Sequence, residues 1–288
     1  MNIAIFADIH GRILLCFKLC ERWQRETGEQ LDLVLQAGDL GVFPDVSRLD
    51  KATIRHTQDD PSELGFTHDF AEHKSDVAEE LAKTAFPLIF VRGNHEDQEW
   101  LDALEQKSDA PIFAIDPYER IFCLKTGVPY TFNRGGEAIT IVGIGRVAAP
   151  RGEQKPDKPK YIQPHELERL YSLGKVDFDI LLTHDSAIDS VTKGFGMEEI
   201  RLVLDAYEPV YHFHGHTEEP LTRREDRNGT TVVYKMADLH WDKTSRGKPL
   251  EPGAMGILRW KDRSSYTFEV VNQPWLKEYT ASTWRYIP

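Results

Sequence analysis

Only three cysteines occur in 288 residues, too few for a disulfide framework. Cys16 and Cys20 lie four apart on one face of an expected helix, and with Cys123 they read as buried thiols. The opening residues carry no basic leader and no small-residue cleavage site, so they do not read as a secretory signal. No apolar run reaches the length needed to cross a bilayer, and no membrane partner is expected. These absences together point to a protein of the reducing cytoplasm. Basic charge is also in deficit: 35 Lys and Arg stand against 47 Asp and Glu, a formal charge of -12. Such a surface repels polyanions, which argues against a broad, sequence-independent nucleic-acid footprint. Internal repeats, coiled-coil heptads and low-complexity tracts are missing too. The pattern sets no oligomeric state.

What is present is a series of short apolar runs, each ending in a polar cluster. Residues Asn2–Ala7, Leu31–Gln36, Leu88–Val91, Ile180–Thr183 and Val210–Phe213 are too short for typical helices and read as buried strands. Amphipathic stretches at Ile13–Glu26, Asp69–Thr84, Asp97–Gln106, Pro164–Leu173 and Met197–Tyr207 predict helices between them. Alternation of this kind indicates an α/β layered fold with its active residues at the carboxyl ends of strands. Residues 43–68 are polar and lack an apolar period, and read as an insertion, a flap near the site. Residues 145–164, rich in Pro and Lys, read as a mobile loop. After residue 217 the pattern turns to β-hairpins, with Asn228-Gly229 as a turn. We expect a single domain over 1–288, a core of about 1–217 with a β-rich C-terminal extension over 218–288.

The polar clusters are Asp8-Ile9-His10, Gly38-Asp39, Gly93-Asn94-His95-Glu96, Thr183-His184-Asp185 and His214-Gly215-His216. Taken singly, an Asp or His after a strand is ordinary turn chemistry. Jointly they offer seven metal ligands: Asp8, His10, Asp39, Asn94, His184, His214 and His216. That suffices for two adjacent divalent ions, and such pairs serve phosphoryl displacement. His95 is left over, an imidazole suited to proton transfer near neutral pH. Carboxylate and imidazole together suit Mn, Fe, Zn or Ni, with Mn favoured, better than Ca or Mg alone. Among other polar residues, His212 reads as a core or supporting histidine, and Asp185 and Glu96 as supports for a ligand or a helix end. Arg146 is a candidate for phosphate binding through its guanidinium fork. Arg151, Lys155, Lys158 and Lys160 make a basic loop, and His240-Trp241 reads as core or pocket lining.

In this motif set the chain resembles the calcineurin-like metallophosphoesterase superfamily over residues 1–217. The resemblance implies a two-sheet β-sandwich flanked by helices with a dinuclear centre at the strand ends. It implies that one ion is held by Asp8, His10, Asp39 and His216, and the other by Asp39, Asn94, His184 and His214, with Asp39 bridging. The implied reaction is attack on phosphorus by a hydroxide between the ions, with His95 serving the leaving oxygen.

Residues Gly38-Asp39-Leu40-Gly41-Val42-Phe43-Pro44 lack the arginine that serine/threonine protein phosphatases carry in this motif, and Phe213 replaces a glycine common in small phosphodiesterases. The layout is similar to the lariat-debranching enzyme branch. The expected substrate is therefore a phosphodiester of a nucleotide or short single-stranded nucleic acid. A phosphomonoesterase, and a metal-free scaffold of the same fold, are the alternatives.

Overall fold

β1 (Asn2–Phe6) shows how the layers arise. Ile3 and Ile5 enter one apolar cluster while Ala4 and Phe6 enter another, and all four are inaccessible to solvent. A strand buried on both faces has to lie between two layers. The computed structural model describes residues 1–149, 158–217, 220–241, 245 and 247–287, and there the layers are complete.

The first sheet has seven strands, in the order β13 (Ser265–Val270), β12 (Gly256–Asp262), β1, β2 (Leu33–Gln36), β3 (Leu88–Phe90), β5 (Ile121–Leu124) and β4 (Ile112–Ala114). The second has six, in the order β10 (Thr222–Glu225), β11 (Val232–Lys235), β9 (Tyr211–His214), β8 (Ile180–Thr183), β7 (Glu137–Ile144) and β6 (Tyr130–Arg134). Ile3, Ile5, Leu35 and Ile89 of the first sheet pack against Ile139, Ile141, Leu182 and Phe213 of the second. α1 (Ile13–Thr27), α3 (Ser75–Leu81) and α4 (Gln98–Glu105) contribute to the core outside the first sheet through Leu15, Leu19, Trp23, Val77, Leu81 and Leu101. α5 (Pro164–Tyr171) and α6 (Glu198–Tyr207) do the same for the second sheet through Leu170, Ile200, Val203 and Leu204. The α/β layering expected from the strand and helix alternation, and the two-sheet sandwich that the resemblance implied, are the observed architecture. No helix among the described residues is long and apolar enough to cross a membrane.

β1, β2 and β3 run parallel, as do β7, β8 and β9. Their carboxyl ends therefore lie along one edge, where open α/β sheets collect functional residues. The strands after residue 217 are woven into both sheets. β10 and β11 form a hairpin about Asn228-Gly229, and β11 then pairs parallel to β9. β12 pairs antiparallel to β1.

One expectation is corrected. The helix expected over Asp69–Thr84 is broken into a wide turn at Phe66–Phe70 and then α3. At the break the Tyr118 hydroxyl donates to the Asp69 carbonyl at 3.1 Å and accepts from the Lys74 amide at 2.8 Å. A residue distant in sequence thus satisfies backbone groups that the helix ends leave open. Residues 43–68, which show no apolar period, nevertheless fold, with α2 (Lys51–Asp59) at their centre. Aspartates hold this segment: Asp45 accepts from Ser47 N, Asp50 from Ala52 N and Thr53 N, and Asp60 from Ser62 N. Only Thr53 of α2 is buried, so the helix needs no apolar stripe. The mobile loop expected over 145–164 falls partly on residues 150–157, which lie outside the described residues, as do Arg151 and Lys155. Its described flanks meet, with Val147 N and Ile162 N donating to Lys160 O and Val147 O.

Candidate metal centre

The clusters converge from both sheets. Asp8 follows β1, Asp39 follows β2, Asn94 and His95 follow β3, His184 follows β8, His214 ends β9 and His216 follows it. Asp8, Asp39 and His184 are buried and present ligand atoms all within 4.8 Å of one another. His184 Nε2 lies 3.4 Å from Asp39 Oδ1 and 3.1 Å from Asn94 Oδ1. Its Nδ1 is 3.0 Å from the Ala37 carbonyl, a bond that places a proton on Nδ1 and turns Nε2 toward the cluster. The His216 ring lies 4.8 Å from that of His184, and its amide donates to both Asp8 oxygens at 3.2 and 3.1 Å. His10 is tied in through its amide, which donates to Asp39 O at 2.9 Å. His214 is buried and held from another side: it faces the His212 ring at 5.1 Å, and Arg224 Nη2 lies 3.4 Å from its Nε2.

The backbone at this edge is under strain. Asp8, His10, Asp39 and His216 all have positive φ, at 45, 43, 53 and 70°. Non-glycine residues take that conformation at a cost of about 1–3 kcal/mol each, and keep it where their surroundings over-determine it. Four candidate ligands sharing it places the strain at the proposed site. Space is also reserved. A Cβ on Gly215 would lie 1.8 Å from Asp8 Oδ2, and one on Gly93 would lie 2.1 Å from Asp39 Oδ1.

The electrostatics fit a cation. Burial pushes the Asp8 carboxyl well above its usual range, with Asp238 and Asp39 adding repulsion and His184 opposing it. Burial also resists ionisation of Asp39, but the His184 and His95 rings hold it well below the ordinary range. His184 is in turn raised to about 10: burial favours its neutral form, but the charge of Asp39 outweighs that. Burial lowers His10 to about 3 and His216 to about 4, so both are neutral imidazoles available as ligands. A cation held by Asp8, Asp39 and His184 would take the place of the proton on His184.

His95 stands apart from that group. Its amide donates to Asp39 Oδ1 at 2.8 Å, while its ring Nδ1 lies 2.7 Å from Asp50 Oδ2. Against the effect of burial, Asp39 and Asp50 raise the ring to about 9. Asp50 is a residue that sequence reasoning missed. Its signal was that of a helix cap ahead of Ala52 and Thr53, and nothing local ties it to a histidine 45 positions away. Glu63, from the same segment, lies 3.9 Å from His10 Nδ1 and accepts from the buried Arg12 guanidinium. Glu96 neither caps α4 nor binds a histidine: it accepts from Leu40 N at 2.8 Å and Gly93 N at 3.0 Å, joining two of the ligand loops. Asp185 accepts from Ala148 N and Ser186 N. His212 is buried against the Thr183 hydroxyl at 2.8 Å, the supporting place expected of it.

Arg146, the candidate for phosphate binding, is corrected. It is fully buried, with Nη2 2.6 Å from Asp102 and Nε 2.9 Å from Glu166, and it also donates to the Pro159 carbonyl. Arg92 joins the same network by ion pairs to Asp102 and Glu105. The Arg146 fork is spent on protein carboxylates and a backbone carbonyl.

A family described as calcineurin-like phosphoesterase matches residues 1–220. Comparison with curated proteins finds no match. Among solved structures, TT1561 of Thermus thermophilus is similar with a TM-score of 0.52 at 14% identity, over 94% of this chain and 98% of its own. GAP50, described as the anchor in the inner membrane complex of Plasmodium, is similar with a TM-score of 0.53 at 12% identity, over 98% of this chain and 85% of its own. Identities this low establish a shared fold alone.

Proposed function

This chain belongs to the calcineurin-like phosphoesterase family, and on that premise we propose that it hydrolyses a phosphodiester of a nucleotide or short single-stranded nucleic acid using two divalent metal ions. The meeting of Asp8, Asp39 and His184 at the common edge of the two sheets carries this reading. Asp8, His10, Asp39 and His216 would hold one ion, and Asp39, Asn94, His184 and His214 the other. Manganese is the favoured metal among Mn, Fe, Zn and Ni. Bound there, the ions would supply Lewis acidity and a water of lowered pKa.

The remaining work falls to the chain. The Ala37 carbonyl sets the tautomer of His184. Asp50 holds His95 Nδ1, and with the ring raised to about 9 both nitrogens carry protons at neutral pH. One proton keeps the ring oriented on Asp50 while the other is available to the departing oxygen. The 43–68 segment thus acts as a flap that completes the site. The same reading includes a single domain over 1–288, supported by the pairing of β12 with β1 and of β11 with β9. It also includes a cytoplasmic location, supported by three buried free thiols.

His95→Ala tests it. Turnover of an aryl phosphodiester by manganese-loaded protein falls by about 10²–10⁴-fold, while bound metal stays at the wild-type level. Loss of metal in that variant would contradict the role given to His95. Much faster cleavage of aryl monoesters than of aryl or nucleotide diesters would make the protein a phosphomonoesterase. A second reading, a metal-free scaffold, draws on the likeness in fold to GAP50, described as an anchor. Less than one equivalent of transition metal after purification from metal-replete medium would favour it.

A further inference from the structure

We propose that His240 is a substrate-binding residue, donating a ring N–H hydrogen bond to a non-bridging phosphoryl oxygen; the proposal rests on the phosphoesterase reading above. His240 belongs to none of the five clusters and arrives from the segment after β11. That segment is fastened along the ligand loops. Met236 N donates to His214 O at 3.0 Å, Leu239 N donates to Asp8 O at 3.0 Å, and Ala7 and Asp238 form a parallel bridge. Leu239 and Trp241 are buried in the core beneath the first sheet's helices. His240, between them, is exposed.

The residue stands at the mouth of the site. The His240 ring meets His10 edge-on with centres 6.2 Å apart, and His95 meets His10 at 5.7 Å. All three imidazoles reach solvent, with side-chain exposures of 38% for His240, 21% for His10 and 23% for His95. Asp238 Oδ2 lies 3.7 Å from His240 Nδ1 and biases the ring's orientation. An anionic phosphoryl group entering here meets Asp8, Asp39, Glu63 and Asp238, so it needs donors beyond any bound cation. The nearby guanidinium groups of Arg12, Arg92 and Arg146 are paired to carboxylates, Arg224 donates to Ser190 and lies against His214, and Lys235 is paired to Asp238. The donor is the ring N–H on Nε2, the nitrogen that does not face Asp238.

Binding of inorganic phosphate to manganese-loaded protein, followed by calorimetry, tests the assignment without turnover. His240→Ala weakens phosphate binding by about tenfold, the worth of one hydrogen bond to a charged group, with metal content and melting temperature unchanged. In steady state the same variant raises KM for an aryl phosphoester more than it lowers kcat. If His240→Ala loses metal or fold, His240→Gln, which keeps most of the volume, is read by the same measures. Equal phosphate affinity in variant and wild type, or no phosphate binding by the wild type, would overturn the proposal. The two readings fail separately: a wild type that binds phosphate through His240 yet hydrolyses no ester refutes the enzyme and leaves the assignment standing.

Discussion

Gly215 and Gly93 occupy the positions where a single added carbon would do most harm. Each lies against a carboxylate oxygen proposed to hold metal, at distances no Cβ can share. At Gly215 the nearest obstacle is the end of the Asp8 side chain, which can swing away, whereas at Gly93 it includes the Asp39 backbone nitrogen. Gly215→Ala should therefore fold and lose metal, read as reduced manganese per chain with an unchanged far-ultraviolet spectrum. Gly93→Ala should lose stability as well. Arg146 supplies the opposite kind of prediction. With buried Glu166 left without its cation and Asp102 left to Arg92 alone, Arg146→Ala should destabilise the fold by about 3–5 kcal/mol, measured by urea unfolding. Its KM for an aryl phosphoester should stay near that of wild type. A large rise in KM with stability intact would restore Arg146 to the substrate.

α2 shows how an element without a core can still act on the site. Its N-cap, Asp50, holds two helix amides with Oδ1 and the His95 ring with Oδ2. The two roles separate by substitution. Asp50→Ala should cost about 1 kcal/mol of stability through the lost cap and should lower turnover roughly 10–100-fold through the unoriented ring. Asp50→Ser restores a capping oxygen and so recovers stability, but turnover stays low because the carboxylate is gone. Recovery of both would leave Asp50 with a structural role only. The broken helix at 66–81 owes its shape to a distant partner in the same way. Residues Phe70, Val77 and Leu81 all face the core as an amphipathic reading requires, yet the chain between them is interrupted where Tyr118 binds its backbone.

At the scale of the molecule, the two sheets depend on the strands beyond residue 217. β12 flanks β1 in register from Asn2↔Arg259 to Ile5↔Gly256, and β11 flanks β9 from Val232↔Tyr211 to Lys235↔His214. A fragment ending at residue 217 would leave β1 and β9 as open, apolar edges, the condition that favours aggregation. It should show no cooperative urea transition and should run as large species in size-exclusion chromatography. A fragment that unfolds cooperatively as a monomer would show that the later strands are dispensable.

Strand ends carrying Asp8, Asp39, Asn94, His184 and His216 were legible because apolar runs and their polar ends are local patterns. So were the α/β class and the hairpin turn at Asn228-Gly229, where only a few neighbouring residues decide the backbone. Partnerships across the chain had no such trace. Asp50 carries no motif, Arg146 reads as a phosphate-binding candidate, and His240-Trp241 as core or pocket lining. Which groups face which was decided by the packing of two sheets and the burial it imposed. Burial leaves a charge only a paired existence, so Arg146 went to Asp102 and Glu166, while the packing of distant segments set Asp50 beside His95 and His240 beside His10. The sequence by itself determined the donors; tertiary structure decided their partners, because pairing energies depend on distances that only the folded chain sets.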